Sequence, residues 1–178
     1  SCMDPTHTSL AERILSMVAL EGIQFSGAFA AIYFFKKQGK FPGLCFSNSL
    51  IARDEGLHAE GGVMLYNHLK HKLSEERVHE IIGGAVSVEK EFMKEALPVR
   101  LIGMNEESMS TYIEFVADFW LGKLGYSKIY HSDNPFSFME LQGIEGKTNM
   151  FEGRVTEYSK ANVLVDENGD DFDNNCEF

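Results

Sequence analysis

The chain has 178 residues, of which 44% are hydrophobic and 24% charged, and its 27 acidic against 16 basic residues leave a net charge of −11. These proportions suit one globular domain with a real core and exclude collagen-like, mucin-like and wholly disordered chains. The acidic balance repels a phosphate backbone and an anionic bilayer, so neither a nucleic acid nor a membrane is an expected partner.

Thr8-Ser9 followed by Glu12 has the pattern of a capping box, and apolar residues then recur at helical spacing as far as Lys37. This predicts one helix over that range, with Gly39 and Pro42 as stop and restart signals. A second helix is predicted from the N-capping residues Ser47 or Asn48 to about His71. Ser74 and the acids Glu75 and Glu76 open a third, which runs to Ala96 because Pro98 disfavours going further. Glu106 to Leu124 reads as a fourth, closed by Gly125. Residues 126–146 read as an irregular excursion with an Asn134-Pro135 turn, and a short helix is predicted over Thr148–Ala161. From Asp166 to Phe178 there are six acids and no base, the composition of a mobile tail. The class is therefore all-α, organised as a helical body over 1–165 and a tail over 166–178.

Three scattered cysteines, Cys2, Cys45 and Cys176, form neither a disulfide framework nor a zinc-type pair and point to a reducing compartment. Apolar runs reach about ten residues before Glu21, Gln24 or a glycine interrupts them, too short on this reading for a membrane span. No basic segment followed by an apolar one opens the sequence, so no secretory signal is expected and the cytoplasm is the default location.

The anomaly lies in the first two predicted helices. A 4-3-4-3-4 spacing picks out Ile14, Val18, Glu21, Phe25, Ala28 and Ile32 on one, and a bundle-core stripe of Ile51, Glu55, His58, Gly62, Leu65 and Leu69 on the other. Carboxylates and an imidazole interrupt both stripes where hydrocarbon belongs, and a buried unpaired carboxylate costs several kcal/mol or is driven neutral. A Glu–His ion pair, or stripes turned toward solvent, would account for this. So would a metal ion, since Glu55 and His58 at i and i+3 lie one turn apart on one face and a facing Glu21 can join them. Carboxylate bundles that hold two metals use a Glu from each of two helices and a Glu-x-x-His from each of two others, so this sequence carries half of such a set. Glu76-x-x-His79 has the same spacing but falls off the Val78, Ile82, Ala85, Phe92 stripe and reads as a solvated face.

The segments around these residues, Val18–Phe29, Phe46–His58, Glu95–Asn105, Tyr112–Asp118 and Gly143–Asn149, closely resemble the C-terminal half of the small, radical-generating subunit of class I ribonucleotide reductase of the eukaryotic and viral type. The likeness runs from about Leu10 to Phe178. It implies a ferritin-like helical bundle, in which Glu21, Glu55 and His58 are ligands of a centre of two iron ions, with manganese as an alternative metal. It implies that Phe25, Phe29 and Ile51 line the dry pocket around a tyrosyl radical, where exclusion of water protects the radical. Asp54, with Arg53 beside it, matches the aspartate of the radical-transfer path, which orients a metal-bound histidine. Tyr158 matches the tail tyrosine that relays the radical, and Phe172 and Phe178 match the aromatic anchors by which the tail docks on the large subunit.

The implied activity is that of the small subunit of ribonucleoside-diphosphate reductase, an oxidoreductase, with the large subunit as partner and a homodimer of the complete small subunit. Gln24, where an aromatic is common, and Cys176 in the tail depart from the pattern. In the family, the other ligands (an acidic residue and a second Glu-x-x-His), the radical tyrosine and the tryptophan of the electron path precede the matched region. The 178 residues do not include them, so the chain alone is expected to be inactive and either to pair with another chain, self-associate through its ligand-bearing stripes, or be poorly stable. The alternative is a truncated or degenerate non-catalytic copy that binds the large subunit without a complete metal site. Another ferritin-like di-iron oxidase would share the ligands but not explain Tyr158 and the tail.

Overall fold

Ser9 starts the first helix as expected. Its hydroxyl accepts the Glu12 amide at 3.2 Å while the Glu12 carboxylate accepts the Ser9 amide at 2.9 Å, a complete capping box. A computed structural model describes residues 8–96 and 104–140. These belong to a unit ending at Ile144, whereas the predicted helix 148–161, the tail and the boundary at 165 lie outside the described residues. The helices are α1 (Leu10–Gly22), α2 (Ser26–Lys37), α3 (Pro42–Asn67), α4 (Glu75–Ala96), α5 (Glu106–Leu124) and the single turn α6 (Ser137–Glu140). Among the described residues there is no strand element.

The predicted first helix is thus two helices. It breaks at Ile23–Phe25, and partners distant in sequence take up the backbone groups on each side. The Trp120 indole N–H donates to the Gly22 carbonyl at 3.0 Å, and the Glu89 carboxylate accepts the Gly27 amide at 3.0 Å. Ser26 Oγ closes the turn on the Ile23 carbonyl at 2.7 Å. The 28-residue stretch Leu10–Lys37 is long and apolar enough by length and composition to cross a membrane, contrary to the expectation from short apolar runs. Here its apolar side chains Leu15, Val18, Ile23 and Ala30 are buried in the core.

α3 starts five residues earlier than Ser47, because Pro42 sits at the first helical position, where a missing amide costs nothing. It ends at Asn67 rather than His71. Its buried face is Cys45, Asn48, Ala59, Gly62, Val63 and Tyr66, one step around the helix from the predicted stripe, so Ile51 and Leu65 stand exposed. α1 lies close across this face at Gly62, where an added Cβ would come within 2.6 Å of Val18 Cγ2. Gly62→Ala is therefore expected to cost about 1–3 kcal/mol through overpacking, read as a lower urea midpoint at unchanged slope.

α4 and α5 have the predicted limits. Asn105 and Ser108 cap α5 reciprocally, and Gly125 ends it in the left-handed region at φ 84°. The predicted α4 stripe is corrected at its end. Phe92 is exposed, and the buried line runs Val78, Ile82, Ala85, Glu89, Met93. Arg77 ties α4 to α1 through Glu12 at 2.9 Å. The excursion after α5 is irregular as far as α6, and the Asn134 side chain accepts the Phe136 amide at 2.9 Å in the expected turn. That excursion hangs on Asp118, a buried carboxylate in α5 that accepts the amides of Ile129, Tyr130 and Ser132 at 2.9, 3.1 and 3.3 Å.

Candidate metal centre

Glu21 occupies the last turn of α1, and Glu55 and His58 face it from α3, one turn apart. One donor atom from each lies within 4.8 Å of the other two. His58 Nδ1 is 3.2 Å from Glu55 Oε2, and the imidazole is 61% exposed. Glu21 and Glu55 are half-buried. The two carboxyls act on each other: hydrogen bonding with Glu55, aided by burial, raises the Glu21 pKa, while hydrogen bonding with Glu21 and with His58 lowers that of Glu55. A cation between them would offset the repulsion of the two carboxylates.

Two oxygen donors and one imidazole are a donor set that suits iron or manganese. Donors bound at roughly 2.0–2.2 Å to one ion stand up to roughly 4.4 Å apart, so small side-chain adjustments would close this group on a metal. The residues fit such a group, and they supply three ligands rather than a full dinuclear set.

Around this cluster, Phe25 lies in the break after α1 and meets Phe29 with ring centroids 6.3 Å apart. Ile51 lies one turn before Glu55. Phe25 is 42% and Ile51 48% exposed, so the described residues do not by themselves make a dry pocket. Asp54 is exposed and pairs with Arg53 at 3.1 Å. Tyr158, Phe172 and Phe178 lie outside the described residues. Glu76 is exposed as expected, but His79 turns inward, with Nε2 3.0 Å from the Ser127 carbonyl oxygen.

Sequence reasoning missed two buried carboxylates, Glu89 and Asp118. Glu89 is 2% exposed, and burial raises its pKa to about 7 against the opposing pull of the Gly27 amide. Extending the α4 stripe by one 3-4 step from Ala85 would have found it. Asp118 had no such signal, since its partners are amides of a segment without periodicity.

A fold that is helical among the described residues, carrying a Glu and a facing Glu-x-x-His, is that of the ferritin-like carboxylate proteins. The family model for the ribonucleotide reductase small chain matches residues 2–135, and the chain belongs to that family. It is 54% identical over 161 residues to the ribonucleoside-diphosphate reductase small chain of Nicotiana tabacum, an alignment covering 90% of this chain and 49% of the relative. It is 56% identical over 156 residues to the small chain of Vaccinia virus (strain Western Reserve), covering 88% and 49%. Among solved structures, the ribonucleotide reductase Rnr4 homodimer from Saccharomyces cerevisiae superposes with a TM-score of 0.73 at 36% identity, covering 88% of this chain and 47% of that one. The chain spans about half the length of the curated relatives it matches.

Proposed function

We propose that this chain is the C-terminal, ligand-bearing part of a ribonucleoside-diphosphate reductase small subunit that serves a large subunit in making deoxyribonucleotides. The observation that carries this reading is the convergence of Glu21, Glu55 and His58 within 4.8 Å, in a chain of the small-chain family. When bound, two iron ions, or manganese in their place, supply the oxygen-dependent one-electron oxidation from which the family's tyrosyl radical arises. Glu21 and Glu55 would hold the metal through carboxylate oxygens and His58 through an imidazole nitrogen. Phe25, Phe29 and Ile51 keep water from the radical side once their exposed faces are covered. Asp54 and Tyr158 carry the radical toward the large subunit, and Phe172 and Phe178 anchor the tail on it. A homodimer of the complete small subunit and a cytoplasmic location complete the proposal.

Anaerobic Fe(II) titration of the chain, followed by equilibrium dialysis, tests the ligand set. Binding is expected to weaken more than tenfold in Glu55→Ala and in His58→Ala, with the helical circular dichroism unchanged. Full binding in Glu55→Ala would remove the assignment. The exposure of His58 favours one other reading, a non-catalytic copy that engages the large subunit without metal. That reading requires the unmutated chain to bind no iron in the same dialysis.

A further inference from the structure

The break between α1 and α2 leaves the first turn of α2 short of partners within its own helix. In an unbroken helix the Gly27 amide would donate to the Ile23 carbonyl. Here that carbonyl already accepts the Ser26 hydroxyl at 2.7 Å and the Ser26 amide at 3.0 Å. Phe25, at the capping position, makes no side-chain cap. The Gly27 amide donates instead to Glu89 Oε1 at 3.0 Å, so α4 caps α2 from 62 residues away. The approach is close, since a Cβ on Gly27 would stand 2.9 Å from that oxygen and 2.5 Å from Met93 Cγ.

A capping carboxylate is ordinarily hydrated, whereas Glu89 is enclosed by the described helices themselves. Among the described residues no cation neutralises it. Lys90, its neighbour on α4, is held by Glu114 of α5 and lies over the Tyr130 ring. From α1, Glu12 pairs with Arg77, and Glu21 hydrogen bonds with Glu55. Asp118 of α5 is taken up by three amides, and Tyr33 of α2 and Tyr112 of α5 stay neutral, burial raising both. The other charged side chains of α1, α2 and α5 are exposed. Burial and the Gly27 amide are therefore the influences that bear on Glu89, and burial is the larger. The positive end of α2 favours the ion, but one amide returns less than the hydration that is lost.

We propose that Glu89 is a proton-operated latch on this break: as the neutral acid it fixes the first turn of α2, with Phe25 and Phe29, against α4, and on ionising it takes up water and releases that turn. Release stays local because little else ties the turn down. Among the described residues, the other contact from a neighbouring helix to its backbone is Asn48 Nδ2 on the Phe29 carbonyl, at 3.4 Å. With the carboxyl titrating at about 7, the latch is closed in mild acid and open at pH 8. The inference goes beyond the proposed function and stands without it. Where Phe25 and Phe29 line a radical pocket, the latch also ties that lining to proton concentration.

The test uses the full chain in EDTA. Its single tryptophan, Trp120, reports on the break through the bond from its indole N–H to the Gly22 carbonyl. Protection of the Gly27 amide against deuterium exchange, corrected for the intrinsic effect of pH, should fall about tenfold between pH 6 and pH 8. Trp120 emission should move to longer wavelength with the same midpoint, while the helical circular dichroism stays constant. In Glu89→Gln both signals should be flat, because the amide oxygen caps Gly27 without titrating. Glu91→Gln, at an exposed position on the same helix, should keep the parent's response. A step that persists in Glu89→Gln would belong to a histidine and overturn the latch, as would constant Gly27 protection in the parent. Should Glu89→Gln not fold, the carbon-13 shift of the Glu89 carboxyl in the parent decides. A midpoint matching that of Gly27 protection is expected, and a different one refutes the latch. No metal is present, so none of these outcomes bears on the ligand reading, which the iron dialysis tests separately.

Discussion

Replacing Trp120 by Ala lowers stability by about 3–5 kcal/mol, a large share of the roughly 5–15 kcal/mol that holds a domain of this kind together. The indole is almost wholly buried, stands edge-on to Phe119 at 5.1 Å, and lies where any side chain at residue 22 would have to go. Its N–H also satisfies the Gly22 carbonyl, which the break after α1 deprives of a helical partner. Trp120→Phe separates the two contributions. It keeps most of the ring but not the donor, so its cost should be nearer about 1–2 kcal/mol. Because Gly22 adjoins Glu21, the Phe variant should also weaken metal binding measurably. Urea unfolding of both variants checks the stability order, and equal losses in the two would show that the buried ring contributes nothing beyond the hydrogen bond.

Replacing Glu89 by Gln changes how stability depends on pH. The carboxyl titrates near its ordinary 4.5 in the unfolded chain and at about 7 in the fold, where burial disfavours its charge. Between those values the unfolded state gives up the proton and the folded state keeps it. This group's contribution is therefore fully present below pH 4.5 and is lost as pH rises through 7. The loss amounts to at most roughly 3 kcal/mol. Glutamine stays neutral and still offers an oxygen to the Gly27 amide. Glu89→Gln should thus match the parent chain at pH 4.5 and exceed it in stability at pH 8. Glu12, Glu75 and Glu114, whose pKa values the fold lowers, impose the same acid sensitivity on both proteins, so the difference between the two isolates Glu89. Urea midpoints at the two pH values test this. A constant difference between the proteins would refute it.

Local signals were reliable where the cause is local. The Ser9–Glu12 capping box, the limits of α4 and the Asn105-to-Gly125 span of α5 follow from side chains that bond their own backbone within a turn. The meeting of Glu21 with Glu55 and His58 was legible too, because 3-4 spacing places polar groups on a face that periodicity marks as apolar. The early start of α3 could have been read from Pro42, which serves as an opening residue as readily as a stop signal.

What sequence alone determined is the helical class, most helix limits, the family, and the placing in register of three residues able to ligate a metal, Glu21, Glu55 and His58. Only the tertiary structure decided that the first helix breaks after Gly22, that Glu89 and Asp118 are buried, and which face of α3 packs against the other described helices. The break is held by Glu89, 62 residues from Gly27, and by Trp120, 98 residues from Gly22. Nothing within a helical turn encodes such partners. The direction a face points depends on which neighbours reach it, and the periodicity of one helix records that it has two apolar faces without recording which of them the rest of the chain covers.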